Sequence, residues 1–242
     1  MLSKAAKDVF YRWERTGATA SLLTFAKVVG KNGDLKTIDK ICKLLIGKCD
    51  DNTTIQNKIA ALDVYVSFHG TEAMPFILKA AGHVNKKYRI AAMRMSLSLS
   101  GSEVTGKWIE LFPKAIPDAK PEIISMLGDR KDEKALPLIT SSLSHPDIAV
   151  RIESASALAK ISGIKAVPDL IDYMTKFTNP ADQEAVKSAL MSVIDSDKLP
   201  LLKPVLKDGP PAAKKSAIGM MAWNKGNEYF TEVLPFTSSH DE

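Results

Sequence analysis

Hydrophobic positions return on a fixed beat along this chain. Ile77, Trp108, Ile139 and Leu170 stand 31 residues apart, and Leu202 and Val233 continue the series. Ala81, Phe112, Leu143, Met174 and Leu206 keep the same interval. Between these columns the apolar residues have helical spacing. Within 132–163, Ala135, Leu136, Leu138, Ile139 and Leu143 share one face, and Ile148, Ile152, Ala155, Leu158, Ala159 and Ile161 share another. Asp132 and Asp147 stand where N-caps belong. Pro137 falls in a first turn, where a missing N–H costs least, and Gly163 supplies a left-handed stop. Pro75, Pro137, Pro168 and Pro200 hold one position of the repeat, while Gly70, Gly101, Gly163 and Gly226 end units.

The pattern predicts seven helix pairs, over roughly 3–33, 34–70, 71–101, 102–130, 131–163, 164–196 and 197–226, and a half unit over 227–242. The first pair is the least regular, with helices near 4–15 and 19–30 split at Gly17. No alternating β-branched run is bounded by turn signals, so no strand is expected. A lone helix pair cannot bury its apolar face. Stacking joins the columns into one core, and the reading is a single all-α solenoid domain over 1–242.

Asp147-Ile148-Ala149-Val150-Arg151, followed by Ala155, Ala157, Leu158 and Ile161-Ser162-Gly163, resembles the second helix of a HEAT repeat. Ala135-Leu136-Pro137-Leu138-Ile139 through Leu143 resembles the first. The resemblance extends over 71–101 and 164–226, and the short, Ala-rich form is similar to the HEAT-like repeats of bilin-lyase proteins. It implies a right-handed α-α superhelix whose second helices line the concave face and bind another macromolecule. The function it implies is a non-catalytic protein-binding or scaffolding module, alone or as one domain of a larger protein. Two alternatives come with it. One is a nucleic-acid-binding HEAT-like protein of the DNA glycosylase class, which needs an aromatic-rich, strongly basic cleft with a catalytic Asp; that constellation is not found here. The other is a bilin-lyase-like enzyme acting on a chromophore-bearing protein, which rests on repeat similarity alone.

A basic column runs in the same register. Lys58, Arg89, Lys120 and Arg151 are 31 residues apart, and Lys214 lies 63 beyond Arg151. Two readings stay open. In HEAT repeats an Arg at this position commonly bonds acidic side chains or carbonyls of the adjoining turn; Asn85 and Asp147, four residues earlier, could serve. A cation in a first turn is disfavoured by the helix dipole, which argues for a local partner. On that reading Arg151→Ala destabilises by roughly 1–3 kcal/mol. Otherwise Lys58, Arg89, Lys120, Arg151 and Lys214 form a partner-contact stripe. The sixth unit interrupts it, with Gln183 and Glu184 where a cation is expected.

Charge and composition narrow the rest. The net charge is +5, with 45% hydrophobic and 25% charged residues, an ordinary globular balance that allows nucleic acid without pointing to it. Two denser basic zones, Lys79, Lys86, Lys87, Arg89, Arg94 and Lys203, Lys207, Lys214, Lys215, Lys225, read as solvated helix faces. Cys42 and Cys49 are seven apart, about 10 Å along one helix, and read as two free, partly buried thiols; with Cys49 past the helix end, a bridge stays open. His83 and His145 occupy one slot two units apart and cannot share a metal; His69 reads as a C-terminal-turn residue. No HExxH, CxxC or carboxylate set has ligand spacing, so no metal or cofactor is expected. Gly30-Lys31-Asn32-Gly33-Asp34 lacks phosphate-loop spacing and reads as a helix stop.

No apolar run approaches a membrane span. Met1-Leu2-Ser3-Lys4 leads into an amphipathic helix rather than a signal peptide, and a trimmed exported fragment would look the same, so the compartment stays open. Phe10, Tyr11 and Trp13 read as an end cap or a contact patch. At the other end, residues 227–236 match the first helix of a further unit, and Tyr229, Leu234 and Phe236 would face outward. The expectation is an edge contact there with a following domain, a partner or a second copy.

Overall fold

A computed structural model describes residues 1–12, 16–225 and 234. The described residues are all-α, without a strand. In chain order their helices, taken two at a time as the pattern predicts, are α1 (Leu2–Asp8) and α2 (Ala18–Lys31), α3 (Leu35–Lys48) and α4 (Ile55–His69), α5 (Met74–Ala81) and α6 (Lys86–Leu97), α7 (Ser102–Leu111) and α8 (Ala119–Arg130), α9 (Leu136–Ser142) and α10 (Ile148–Ser162), α11 (Val167–Lys176) and α12 (Pro180–Met191), α13 (Lys203–Asp208) and α14 (Pro211–Lys225). The expected half unit at 227–236 lies outside the described residues, apart from an exposed Leu234.

The chain folds as two compact units, Met1–Ala119 and Lys120–Glu242. In the first, each pair closes on itself through α1 with α2, α3 with α4 and α5 with α6, and the second helices α2, α4 and α6 stack in order. The second repeats the scheme: α9 packs on α10, α11 on α12 and α13 on α14, while α10, α12 and α14 stack on one another. Each unit therefore has a layer of first helices and a layer of second helices, the arrangement of a HEAT-like solenoid.

The hydrophobic columns are the core. Ile77, Trp108, Ile139, Leu170 and Leu202 are fully buried, and Ala81, Phe112, Leu143, Met174 and Leu206 are buried beside them. Each large aliphatic side chain of this set contributes roughly 1.5–3 kcal/mol through removal from water. On α8, the close approach of α10 requires a glycine. A Cβ on Gly128 of α8 would lie 2.7 Å from the Ala157 Cβ of α10.

Punctuation follows the sequence, with three departures. Asp147 and Asn85 cap α10 and α6 through Ala149 N–H and through Lys87 and Tyr88 N–H. Pro75, Pro137 and Pro168 stand in first turns. Pro200 instead lies inside a 3-10 turn, Ser196–Leu202, and Pro204 takes the first-turn place in α13. Helix α1 ends at Asp8 rather than near 15, because Phe10 and Tyr11 adopt left-handed φ of 54° and 58°. Asn57 Nδ2 of α4 donates to Tyr11 O at 2.6 Å and ties that turn down. Phe10 is exposed, and Trp13 lies outside the described residues. Finally, the fourth pair has no terminal glycine, and Lys131 takes the left-handed conformation at φ 55°.

Candidate functional site

The basic column starts in the first turns of the second helices, beside the turn that joins each pair. Three of its members are interior. Lys58, Arg89 and Arg151 are buried, while Lys120 and Lys214 are half-buried.

Arg151 shows why burial is tolerated. Its Nη1 donates to His145 O at 2.9 Å and Pro146 O at 3.1 Å, the carbonyls of its own inter-helix turn. Its Nε and Nη2 donate to the two carboxylate oxygens of Asp182, at 3.0 and 2.8 Å. The guanidinium carbon stands 4.5 Å from the centre of the Phe177 ring. Asp182 and Phe177 belong to the next pair, so one side chain closes its own turn and binds its neighbour. The Tyr173 hydroxyl donates to Asp182 as well, and burial followed by that bond raises its pKa. Asp147, the acid expected to hold Arg151, is occupied as a cap.

The first unit repeats the device. Arg89 Nη1 donates to His83 O at 2.9 Å and Val84 O at 3.1 Å, and Asn85, like Asp147, is occupied as a cap. Lys58 Nζ donates to Asp50 Oδ1 of its own turn at 2.6 Å and lies 5.0 Å from the Tyr88 ring centre in the next pair. His83 Nδ1 accepts from Asn85 N–H at 3.0 Å, which leaves the ring proton on Nε2, 2.6 Å from the same Asp50 oxygen. These donors, Lys58 first and His83 second, hold the Asp50 carboxyl below its usual range. His145 uses its Nδ1 in the same way, accepting from Asp147 N–H at 3.0 Å.

The apparent break in the sixth unit is a change of charge and not of role. Gln183 Nε2 donates to Met174 O at 2.7 Å and Phe177 O at 2.8 Å, carbonyls at the end of the preceding helix α11. Its Oε1 accepts from Ser216 of the next pair at 2.7 Å. Sequence reasoning missed Asp182 and Gln183 as ladder members. The signal for Asp182 was present, since it follows Arg151 by one period of 31 residues.

Surface chemistry therefore lies beside the column. Between α4 and α6 runs a groove of about 910 Å³. Ile59, Ile90, Ala91 and Met95 form its apolar floor, and Lys86, Lys87 and Arg94 stand exposed along one side. The equivalent groove between α10 and α12 is smaller, about 380 Å³, and is lined by small residues such as Ser156, Ala185 and Ser188, with Glu153 and Lys160 at its edge.

No cluster with metal-ligand composition occurs among the described residues. Cys42 and Cys49 are free and buried, and burial pushes their thiols up to about 12 and about 11. None of the described helices is long and apolar enough to cross a membrane.

Residues 107–191, from α7 to the end of α12, match the family model for HEAT repeats. No curated protein matches the chain.

Proposed function

We propose that this HEAT-repeat chain is a non-catalytic protein-binding scaffold whose partners dock on the exposed faces of its second helices. The supporting observation is the division of labour within those helices. Their buried first-turn cations and amide are engaged inside, Arg89 with its own turn and Lys58, Arg151 and Gln183 with the next pair as well, while their outer positions form grooves of different chemistry in the two units. A phosphate-tracking stripe would need the column outside. With Lys58, Arg89 and Arg151 inside, those three cations offer no such stripe, which favours the protein-binding reading over the DNA glycosylase-like alternative. The likeness to bilin-lyase repeats concerns repeat form and carries no activity.

The test is site-specific photo-cross-linking in cells that make the protein. A benzophenone side chain placed at Ile90 of α6 or Ile152 of α10 is expected to give protein adducts that survive nuclease. At exposed first-helix positions, Lys79 of α5 and Ser141 of α9, adducts should be few. Nuclease-sensitive adducts, or equal yields from both layers, would contradict the proposal.

A further inference from the structure

The α4–α6 groove has a chemistry that selects its occupant. Two rows four residues apart on α6, Lys86–Ile90–Arg94–Ser98 and Lys87–Ala91–Met95, form one wall, and Gln56, Ile59 and Asp63 of α4 form the other. Rows of this kind are the ridges into which a third helix packs. From Lys86 to Ser98 the wall is about 18 Å long, a little over three helical turns. Its floor is apolar and half-buried, while the flanking charge is one-sided.

The cations on that flank are unspent. Lys86, Lys87 and Arg94 form no ion pair among the described residues. The first turn of α6 holds no acidic residue, and the Asn85 side chain accepts from two of its backbone donors, Lys87 and Tyr88 N–H. Lys86 and Lys87 thus lie at the end of the helix where the dipole opposes positive charge. Asp63, across the groove, is the one carboxylate of the lining. An anionic ligand edge would relieve this imbalance, and an apolar ligand face would cover Ile59, Ile90, Ala91 and Met95.

We propose that the groove is the docking site for an acidic amphipathic helix of about three to four turns, contributed by a protein partner. The helix lays apolar residues at i, i+3/i+4 and i+7 on the floor and places Asp or Glu against Lys86, Lys87 and Arg94. Nucleic acid fits less well. The lining has no aromatic side chain on which a base could stack, and Asp63 would face phosphate. The inference rests on the protein-binding proposal above and specifies the partner of one of its surfaces.

Three labelled peptides of about 14 residues, four turns of helix, test it against the full chain by fluorescence anisotropy. The first carries Leu at the anchor positions and Glu elsewhere, the second Lys in place of Glu, and the third Ser in place of Leu. The first alone should bind. Lys87→Glu with Arg94→Glu should weaken it by about tenfold or more, and the Gln pair at the same positions by less. Lys207→Glu, an exposed cation of the other unit, should leave binding unchanged. Hydrogen exchange on the unmodified protein should slow in α4 and α6 when the first peptide is added. Equal binding of the Ser or Lys peptide, no binding of any, an unchanged affinity in the charge-reversed pair, or displacement of the first peptide by an oligonucleotide each overturn the assignment. Failure here with protein cross-links still formed at Ile90 and Ile152 removes the groove's occupant only, whereas nuclease-sensitive cross-links remove the scaffold proposal itself.

Discussion

Arg151→Ala is the perturbation whose cost the structure sets most firmly. The guanidinium makes four hydrogen bonds, two to turn carbonyls and two to Asp182, and also covers the Phe177 ring. Arg151 is 8% exposed and Asp182 1%. Removing the cation leaves the buried Asp182 carboxylate with the Tyr173 hydroxyl as its donor, and takes the Arg151 donor away from the His145 and Pro146 carbonyls. Breaking a buried ion pair from one side costs about 3–5 kcal/mol, above the 1–3 kcal/mol that unpaired carbonyls alone would predict. Replacing both charges, Arg151→Met with Asp182→Leu, should recover much of that loss, because no buried charge is then stranded. The assay is urea unfolding of the wild type, Arg151→Ala, Asp182→Leu and the double variant. Hydrogen exchange across α10 and α12 would add whether the loss uncouples one pair from the next, as nearest-neighbour stacking requires. An Arg151→Ala chain within about 0.5 kcal/mol of wild type, with α12 exchange unchanged, would refute the reasoning.

Three further outcomes follow from local chemistry. Asp50 is held below its usual range, so its bonds to Lys58 and His83 stabilise the fold above the unfolded value of about 3.9 and are lost as pH falls through the depressed pKa. Asp50→Asn should flatten the acid limb of a stability–pH curve at low salt below about pH 4, an effect kept small by the carboxylate's 64% exposure; an unchanged limb would count against it. Cys42 and Cys49 should resist a disulfide reagent at pH 8 in the native chain and react at once in denaturant, and fast native labelling would show that the thiols are accessible. Lys131→Gly should raise stability by about 0.5–1 kcal/mol in thermal unfolding, since a left-handed φ of 55° strains any residue with a Cβ; a loss would mean that the lysine side chain holds that turn.

Much of this was legible because repeats write the same sentence several times. The core columns, the caps Asn85 and Asp147 and the first-turn prolines Pro75, Pro137 and Pro168 lie where the periodicity puts them. The end of α1 was not legible, because two successive left-handed residues, Phe10 and Tyr11, carry no glycine or proline to announce them. Pro200 misled, since a proline can sit within a 3-10 turn as well as open a helix. The basic column could be read only halfway. Periodicity aligned Arg89 with Arg151, but a column search for cations discards the acid or amide that takes the same slot. Asp182 is found only by asking what stands one period beyond each charge; Lys160 of α10, 31 residues from its partner Asp129 of α8, obeys the same rule. The groove could not be read at all, because it depends on which exposed lysines share a wall with Ile59, Ile90 and Met95.

Lys58, Arg89 and Arg151 of the column are inside, whereas Lys86 and Lys87, three and two positions before Arg89, are outside. Timed acetylation of the native chain, read lysine by lysine by mass spectrometry, tests this separation directly. Lys58, buried against Asp50 and Tyr88, should label slowly and catch up only on denaturation, while Lys86 and Lys87, on the open wall of the groove, should label among the first. Lys58 labelling as fast as Lys86 and Lys87 in the folded chain would place the column on the surface and contradict the account.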